Sequence, residues 1–140
     1  MAPTKACPVV LRTRDSVTQI LAFKHPLADC QLVKGTIAEA ETPQAAAVRE
    51  LWEEAGLVAQ AGEPLGLWDA EYEHQIWSFH ICHLDETPAE TWVHQCADDG
   101  GHAFAFFWQP IDAPLVDWHP VHARAVAFIR EAVKARAATI

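Results

Sequence analysis

The sequence predicts a single α+β domain, and three observations predict it. Segments of β-strand composition occupy the first third of the chain and the region from residue 57 to about residue 110. A helical pattern follows each of these regions. The chain has 140 residues, 51% of them hydrophobic, which suffices for one buried core, and no linker, repeat or low-complexity segment divides it.

The early and late segments of the chain predict two β-hairpins. "CPVVLRT" and "VTQILAFK" are rich in β-branched residues and are separated by the turn-forming run "RDS". "HQIWSFHICHL", "TWVHQ" and "HAFAFFWQP" predict further strands, because Pro, Asp and Gly clusters separate them. The run from Asp98 to Gly101 predicts the turn of the second hairpin.

Two segments carry helical signals. Thr42 is a good N-cap, Pro43 suits the first turn, and Gly56 is the residue type that commonly follows a helix end. These three residues predict a helix that opens at Thr42-Pro43 and ends at Gly56. A second amphipathic helix is predicted from Pro120, because apolar residues recur at helical spacing. These residues are Val121, Ala125, Phe128, Ile129 and Val133.

Charge and cysteine content limit the class of protein. The formal net charge of −9 argues against a surface that binds a nucleic-acid duplex or an anionic membrane. The apolar runs are too short to span a bilayer, and the N-terminus lacks a signal-peptide pattern. The cysteines show no CxxC spacing, so free buried thiols in a reducing compartment are expected. A soluble cytoplasmic protein is therefore predicted.

The first predicted helix concentrates acidic residues. Glu50, Glu53 and Glu54 fall on one side at about 100° per residue, and each like-charge pair costs roughly 0.2–0.5 kcal/mol. One interpretation is a solvated face that Arg49 partly neutralises, and the other is a set of oxygen ligands for Mg²⁺ or Mn²⁺. Spacing alone does not decide between them. The opposite stripe, expected to face the core, consists of Val48, Leu51, Trp52 and Ala55.

The residues around these acids complete a longer pattern. It consists of Gly35, five residues, Glu41, seven residues, Arg49-Glu50-Leu51, one residue, Glu53-Glu54, one residue and Gly56-Leu57. This pattern resembles the Nudix box of the Nudix hydrolase family, and a chance match has odds of about 10⁻⁸ on typical residue frequencies. The resemblance implies one Nudix hydrolase domain over residues 1–140, with the box at residues 35–57. It also implies an α/β/α sandwich with a mixed β-sheet.

The resemblance implies a role for each residue of the box. Glu53 is the first choice for the general base, and Glu50 is the second. Glu41 and Arg49 would brace the loop of the box against its helix. The cofactor implied is Mg²⁺ or Mn²⁺. Its ligands would be the backbone carbonyl of Gly35 and the carboxylates of Glu50, Glu53 and Glu54.

Other candidate residues lie outside this ligand set. Lys34 stands where a second glycine is frequent, and it is either a phosphate contact or a solvated lysine at a strand end. Trp68 and Trp92 are candidates for a substrate pocket, with core packing as the alternative. Some family members recruit a further acid from a downstream loop. The candidates here are Glu90, Asp98 and Asp99.

The reaction implied by the resemblance is Mg-dependent hydrolysis of a diphosphate linkage in a nucleoside diphosphate derivative. The substrate is a nucleoside diphosphate linked to a group X, with dinucleoside polyphosphates among the candidates. The expected partner is a small nucleotide-type molecule, and a homodimer is compatible with the family. One alternative is a non-catalytic Nudix-fold module for ligand sensing or interaction. Another is an isomerase of a diphosphate substrate, for which Cys30 and Cys82 offer no clear acid and thiol pair.

Overall fold

The chain folds as two β-sheets between two helices. The computed structural model describes residues 1–97 and 101–138. The helices are α1 (Pro43–Ala55) and α2 (Pro120–Ala138). The strands are β1 (Lys5–Val9), β2 (Leu11–Arg14), β3 (Val17–Lys24), β4 (Cys30–Gln31), β5 (Gly35–Thr36), β6 (Ala59–Asp69), β7 (Ile76–Leu84), β8 (Trp92–Cys96) and β9 (His102–Pro110). The predicted α+β class and single domain are confirmed.

The strands divide between two sheets. The first sheet has the order β5-β1-β7-β6, and the second has the order β2-β3-β9-β8, with β4 also paired to β3. The pairing of β1 with β7 is parallel, whereas β1 with β5 and β6 with β7 are antiparallel. The first sheet is therefore mixed, as the family resemblance implies.

Each helix covers one face of the sandwich. Successive side chains of a strand point to opposite faces, so β1 and β3 contribute alternate residues to two cores. The core beside α1 includes Ala6, Leu21, Phe23, Leu51 and Phe106. The core beside α2 includes Cys7, Val9, Ile20, Trp77 and Phe79. This arrangement is the expected α/β/α sandwich.

The first predicted hairpin is present only in part. β2 and β3 are antiparallel, and the turn residues Asp15 and Ser16 have φ angles of 51° and 65°. Positive φ at both positions matches the twist of the flanking strands. The predicted first strand is instead two strands, because the chain leaves the first sheet after Val9 and enters the second at Leu11. Long-range pairing with β7, which local composition does not reveal, causes this division.

Strand β6 lies in the region of β-strand composition, but the sequence pattern assigned no individual strand to its residues. Its sequence, AQAGEPLGLWD, contains glycine and proline, which usually weaken a strand. β6 lies at the edge of the first sheet, where the missing N–H of a proline need not break a hydrogen bond between strands. Register shifts between Ala61 and Pro64 and between Pro64 and Gly66 place irregularities where these residues occur.

The strands of the second hairpin are confirmed. β8 and β9 pair antiparallel, with Cys96 opposite His102. The predicted turn falls largely on residues 98–100, which lie outside the described residues. In α2, Val121, Ala125 and Ile129 are buried, as their spacing predicts.

The boundaries of α1 agree with the prediction. Thr42 Oγ1 accepts a hydrogen bond from the Ala45 N–H at 3.1 Å, and Pro43 occupies the first turn. Gly56 follows the helix with a φ of 73° and donates its N–H to the Trp52 carbonyl. Both ends of the helix therefore depend on local interactions that the sequence displays.

The buried face of α1 differs from the prediction. Leu51 and Ala55 are buried as expected, but Trp52 is 57% exposed. Glu50 and Glu54 are only 6% and 9% exposed. The side of α1 that carries Glu50 and Glu54 therefore faces the protein and not the solvent.

The remaining features of the fold concern cysteines and membranes. Cys7, Cys30, Cys82 and Cys96 are all free and buried, as their spacing predicts. Within the residues that the structure describes, no helix is long and apolar enough to cross a membrane.

Gly56→Ala tests the end of α1. The substitution should lower the free energy of unfolding by about 1–2 kcal/mol, because an L-residue in the left-handed region carries that strain. The new Cβ would also lie 2.8 Å from Nδ1 of His94. Urea unfolding of wild type, Gly56→Ala and Gly56→Ala/His94→Ala separates the two effects. An unchanged unfolding midpoint in Gly56→Ala would contradict this account.

Candidate active site

A cavity of about 870 Å³ lies beside the acidic side of α1. Both sheets contribute to its walls, as do α1 and the loop after β5. Charged residues in the walls are Lys5, Lys34, Arg49, Glu50, Glu53 and Glu54. Other residues in the walls include Phe23, His25, Gln31, Gly35, Thr36, Cys96 and Phe104.

The carboxyl group of Glu50 lies directly against the backbone of Gly35. A Cβ atom at position 35 would lie 1.9 Å from Cδ of Glu50 and 2.1 and 2.3 Å from its carboxylate oxygens. Real Cβ atoms do not approach other atoms this closely, so a side chain here would displace the carboxylate. Glycine is therefore required by close approach. The sequence alone links these two positions only through their place in the box.

Glu50 and Glu54 form a buried pair of acids. Their side chains are hydrogen-bonded to each other, and burial is the largest cause that raises the pKa of Glu50. Two carboxylates in contact do not both ionise in a low-dielectric site unless a proton or a cation accompanies them. The pair therefore favours a positive charge in the cavity.

Arg49 supplies part of that charge. Its Nη1 donates to Oε1 of Glu50 at 2.8 Å and to Oε2 of Glu53 at 3.2 Å. Its Nη2 donates to the Thr36 carbonyl at 2.9 Å. One guanidinium thus contacts two acids of the helix and the backbone of β5.

The same guanidinium forms a two-point contact with Glu41. Arg49 Nε lies 2.8 Å from Oε2 of Glu41, and Nη2 lies 2.9 Å from Oε1. Oε1 also accepts the Ala38 N–H at 2.9 Å. The hydrogen bond from Arg49, followed by that from Ala38, lowers the pKa of Glu41 to about 2. Glu41 and Arg49 thus join the loop of the pattern to its helix.

Two lysines line the cavity near the acids. Lys34 is half-buried, and burial, followed by the charge of Lys5, lowers its pKa. Its Nζ lies 5.6 Å from the ring centroid of Trp77. Lys5 Nζ donates to Thr36 Oγ1 at 2.7 Å. Lys34 is therefore a cavity residue, and its environment differs from that of a fully solvated lysine.

The other candidates from the sequence lie elsewhere. Glu90 does not line the cavity, because its carboxylate binds Arg12 at 2.5 and 2.8 Å and Arg14 at 2.8 Å. Asp98 and Asp99 lie outside the described residues. Glu90 is thus part of a separate ion-pair cluster.

Neither tryptophan proposed for the substrate pocket lines this cavity. Trp68 packs on Trp77 and Phe79 in the core beside α2. Trp92 stacks on Phe106 with ring centroids 5.0 Å apart, and its Nε1 donates to the Ala55 carbonyl at 3.0 Å. Core packing, the alternative interpretation, is the correct one for both.

Several lining residues were missed by the sequence pattern. Phe23 and Phe104 fit the strand alternation and are indistinguishable in sequence from ordinary core residues. His25 and Gln31 flank the loop between β3 and β4 and carry no motif. Pairing of β3 with both β4 and β9, opposite α1, brings these residues to one cavity.

The donor atoms fit a hard divalent cation. Glu50 and Glu54 are buried neighbours, Glu53 lines the same cavity, and the Gly35 backbone lies against the Glu50 carboxylate. All of these groups offer oxygen, which Mg²⁺ and Mn²⁺ prefer. Among the described residues, no three His, Cys, Asp or Glu side chains already meet at metal-binding spacing. Arg49 instead holds Glu50 and Glu53 at its guanidinium.

The chain matches a known protein family. A scan against protein-family models matches the NUDIX domain over residues 3–129. The chain belongs to the NUDIX family. Membership identifies it as a hydrolase of pyrophosphate bonds, in a family that generally needs a divalent metal. A search of curated proteins finds no match.

Solved structures share the Nudix fold. An ADP-ribose pyrophosphatase from Streptococcus suis is 17% identical, with a TM-score of 0.67, covering 94% of this chain and 92% of that chain. A MutT NUDIX hydrolase from Burkholderia pseudomallei is 20% identical, with a TM-score of 0.65 and coverages of 92% and 99%. The NUDIX domain of Shewanella oneidensis NrtR, complexed with ADP ribose, is 15% identical, with a TM-score of 0.57 and coverages of 95% and 90%. At these identities the likeness shows the fold.

Glu41→Gln tests the ion pair with Arg49. The folded-state pKa of Glu41 is about 2, below its ordinary value of 4.5, so the carboxylate stabilises the fold above about pH 4.5. That contribution is lost as the pH falls from about 4.5 to about 2. Urea unfolding of both proteins between pH 2.5 and pH 6 should show the wild-type advantage shrinking with acid. Glu39→Gln, at an exposed acid of the same loop, is the control. A wild-type advantage that does not change with pH would contradict the assignment.

Proposed function

We propose that this Nudix protein hydrolyses a diphosphate linkage in a nucleoside diphosphate derivative, using Mg²⁺ or Mn²⁺. The contact of Glu50 with Gly35, next to the buried Glu54, carries the proposal, because acids buried together gain from a cation. Such burial disfavours a solvated acidic face. It also disfavours a non-catalytic module, which has no need of acids that repel one another.

The metal would be held by the box residues named from the sequence. These are the Gly35 carbonyl and the carboxylates of Glu50, Glu53 and Glu54. When bound, the metal supplies charge to the phosphate oxygens and lowers the pKa of a coordinated water. The role of the protein residues is to hold the acids in place before the substrate arrives. Arg49 and Glu41 do this by joining α1 to the loop that contains Gly35.

Glu53 is our first choice for the general base, and Glu50 is the second. The side chain of Glu53 is 39% exposed, whereas that of Glu50 is 8% exposed. A base that returns its proton to water after each cycle benefits from that exposure. Glu50 is held by Arg49 and Glu54 and suits a ligand better.

Lys34 is proposed to contact a substrate phosphate. It lines the same cavity as the acids, and Lys5 lies near enough to lower its pKa. Two ammonium groups beside an acidic metal site would favour a diphosphate over a neutral molecule. A compact ammonium is a common phosphate ligand in proteins.

The class of substrate also draws on the related structures. One is an ADP-ribose pyrophosphatase, and another holds ADP ribose. For this chain we propose a small soluble nucleotide as the substrate. We also propose that the protein is cytoplasmic and that residues 1–140 form one Nudix domain. A homodimer is compatible with this function. Dinucleoside polyphosphates stay among the candidate substrates.

The deciding experiment measures product release from a substrate panel. ADP-ribose, nucleotide sugars, dinucleoside polyphosphates and oxidised nucleoside triphosphates are incubated with Mg²⁺, with Mn²⁺ and with chelator. We expect release of nucleoside monophosphate or phosphate from one class, and its loss with chelator. No release from any class by a folded, Mg²⁺-binding protein would favour the sensing module. Product that has rearranged without releasing phosphate would favour the isomerase.

Glu54→Gln should abolish turnover without unfolding the protein. We expect the rate to fall by more than about 100-fold, the upper effect of losing a group that only supports a metal ligand. Without metal, the variant should be as stable as wild type or slightly more stable, because one buried acid is removed. Rates and unfolding midpoints are compared with those of Glu63→Gln. Glu63 is exposed and pairs with Arg136, away from the cavity. Full activity in Glu54→Gln would overturn its role.

A further inference from the structure

We propose that His122 is a positioning residue for the reaction, because it holds the chain segment that brings Lys34 to the cavity. This inference rests on the proposed function, in which Lys34 contacts a substrate phosphate. His122 lies in the first turn of α2, outside the box and outside the walls of the cavity. It acts through Lys34 and does not touch the substrate itself.

The side chain of His122 is joined to a backbone group 90 residues earlier in the chain. Its Nδ1 accepts the N–H of Leu32 at 2.9 Å, and both residues are buried. The pairing of β3 with β4 ends at Gln31, so this N–H lies beyond the last pair of the ladder. A buried N–H that loses its acceptor is costly. His122 therefore supplies from α2 the acceptor that this N–H uses.

Backbone hydrogen bonds attach the start of α2 to the strand before this segment. The Cys30 N–H donates to the Asp117 carbonyl at 2.8 Å, and the Cys30 carbonyl accepts the His119 N–H at 3.1 Å. The hydrogen bond from Leu32 to His122 extends this attachment by two residues. A change at the start of α2 is therefore transmitted to the backbone that leads into the box.

Alternation along the segment directs Lys34 to the same side as Leu32. Leu32 packs in the core beside α2, whereas Val33 packs in the core beside α1. Lys34 follows on the α2 side, where its Nζ lies 5.6 Å from the ring centroid of Trp77. The same ring lies 5.1 Å from the ring of His122, with the planes at 69°. His122 thus contacts both the backbone before Lys34 and the ring next to its ammonium group.

A neutral histidine suits this position better than a charged acceptor does. Burial, followed by the charges of Lys34 and His119, lowers the pKa of His122 to about 3, so the ring is uncharged at neutral pH. A carboxylate at the same place would attract the ammonium group of Lys34 away from the cavity. The neutral ring accepts the backbone N–H and leaves the charge of Lys34 for a phosphate.

Ordinary core packing accounts for the burial of His122 but predicts no link to phosphate binding. A residue with a structural role alone would change the stability of the fold. A residue that positions Lys34 would change the affinity for phosphate through that lysine. The two interpretations therefore differ in whether the effect of losing His122 depends on Lys34.

The test is a double-mutant cycle that measures the binding of inorganic pyrophosphate with Mg²⁺ by isothermal titration calorimetry. His122→Leu should lower the affinity about tenfold, which is within the range of coupling for residues of one network. Lys34→Gln should lower it at least as much. Adding His122→Leu to Lys34→Gln should change the affinity by less than about twofold, because the residue through which His122 acts is gone.

Three further variants separate the hydrogen bond from a general loosening of α2. His122→Asn keeps an acceptor at the δ position and should bind within about threefold of wild type. His122→Phe keeps a ring beside Trp77 without an acceptor, and it replaces His122→Leu if that variant does not fold. His119→Leu is the matched control and should bind like wild type, since Nδ1 of His119 accepts the Val121 N–H within the same end of α2. Hydrogen exchange of the Leu32 amide shows which variants keep the bond, and the affinity should follow its protection.

The outcomes separate this inference from the proposed function. The role of His122 is overturned if His122→Leu lowers the affinity by the same factor with and without Lys34. It is also overturned if His119→Leu causes an equal loss, or if wild type binds no pyrophosphate. A loss that depends on Lys34 supports the role even when no compound of the substrate panel is hydrolysed, a result that counts against the proposed function alone. Hydrolysis by a protein in which the two substitutions act independently would remove the role of His122 and leave the proposed function intact.

Discussion

The hydrogen bonds of Arg49 are the interaction on which the site depends. A single guanidinium binds Glu41, Glu50, Glu53 and the Thr36 carbonyl. It thereby ties α1 to the loop that carries Gly35. The single charge of Arg49 does not neutralise the three acids that it contacts, so a metal bound beside them would be stabilised by the remaining negative charge. The brace and the proposed metal site therefore depend on the same arrangement of charges.

The burial of Glu50 and Glu54 opposes the stability of the isolated fold. Acids in contact within a low-dielectric region raise the cost of ionising either one. Natural proteins depart from local rules mainly where function requires it, and such departures are offset elsewhere. Here the offset comes from the capped helix and from two apolar cores. The fold positions the acids, and a cation bound as proposed would lower the energetic cost of their burial.

The division of the strands into two sheets shapes the cavity. The chain crosses from the first sheet to the second between Val9 and Leu11, and residues of both sheets line the cavity beside α1. The first sheet presents Gly35 and Lys5 to this space, and the second presents Phe104. Charged and aromatic groups meet in one cavity because both sheets border it.

The amino-acid sequence by itself determined the features that depend on local contacts and spacing. Thr42, Pro43 and Gly56 set the limits of α1, since caps act over a few residues. The resemblance of the box to the Nudix family implied that Glu41 and Arg49 would brace the loop against the helix. Only the tertiary structure decided that Trp52 is exposed, that β6 forms, and that His25 joins the cavity. These features depend on residues distant in the chain, whose packing and pairing no local pattern reveals.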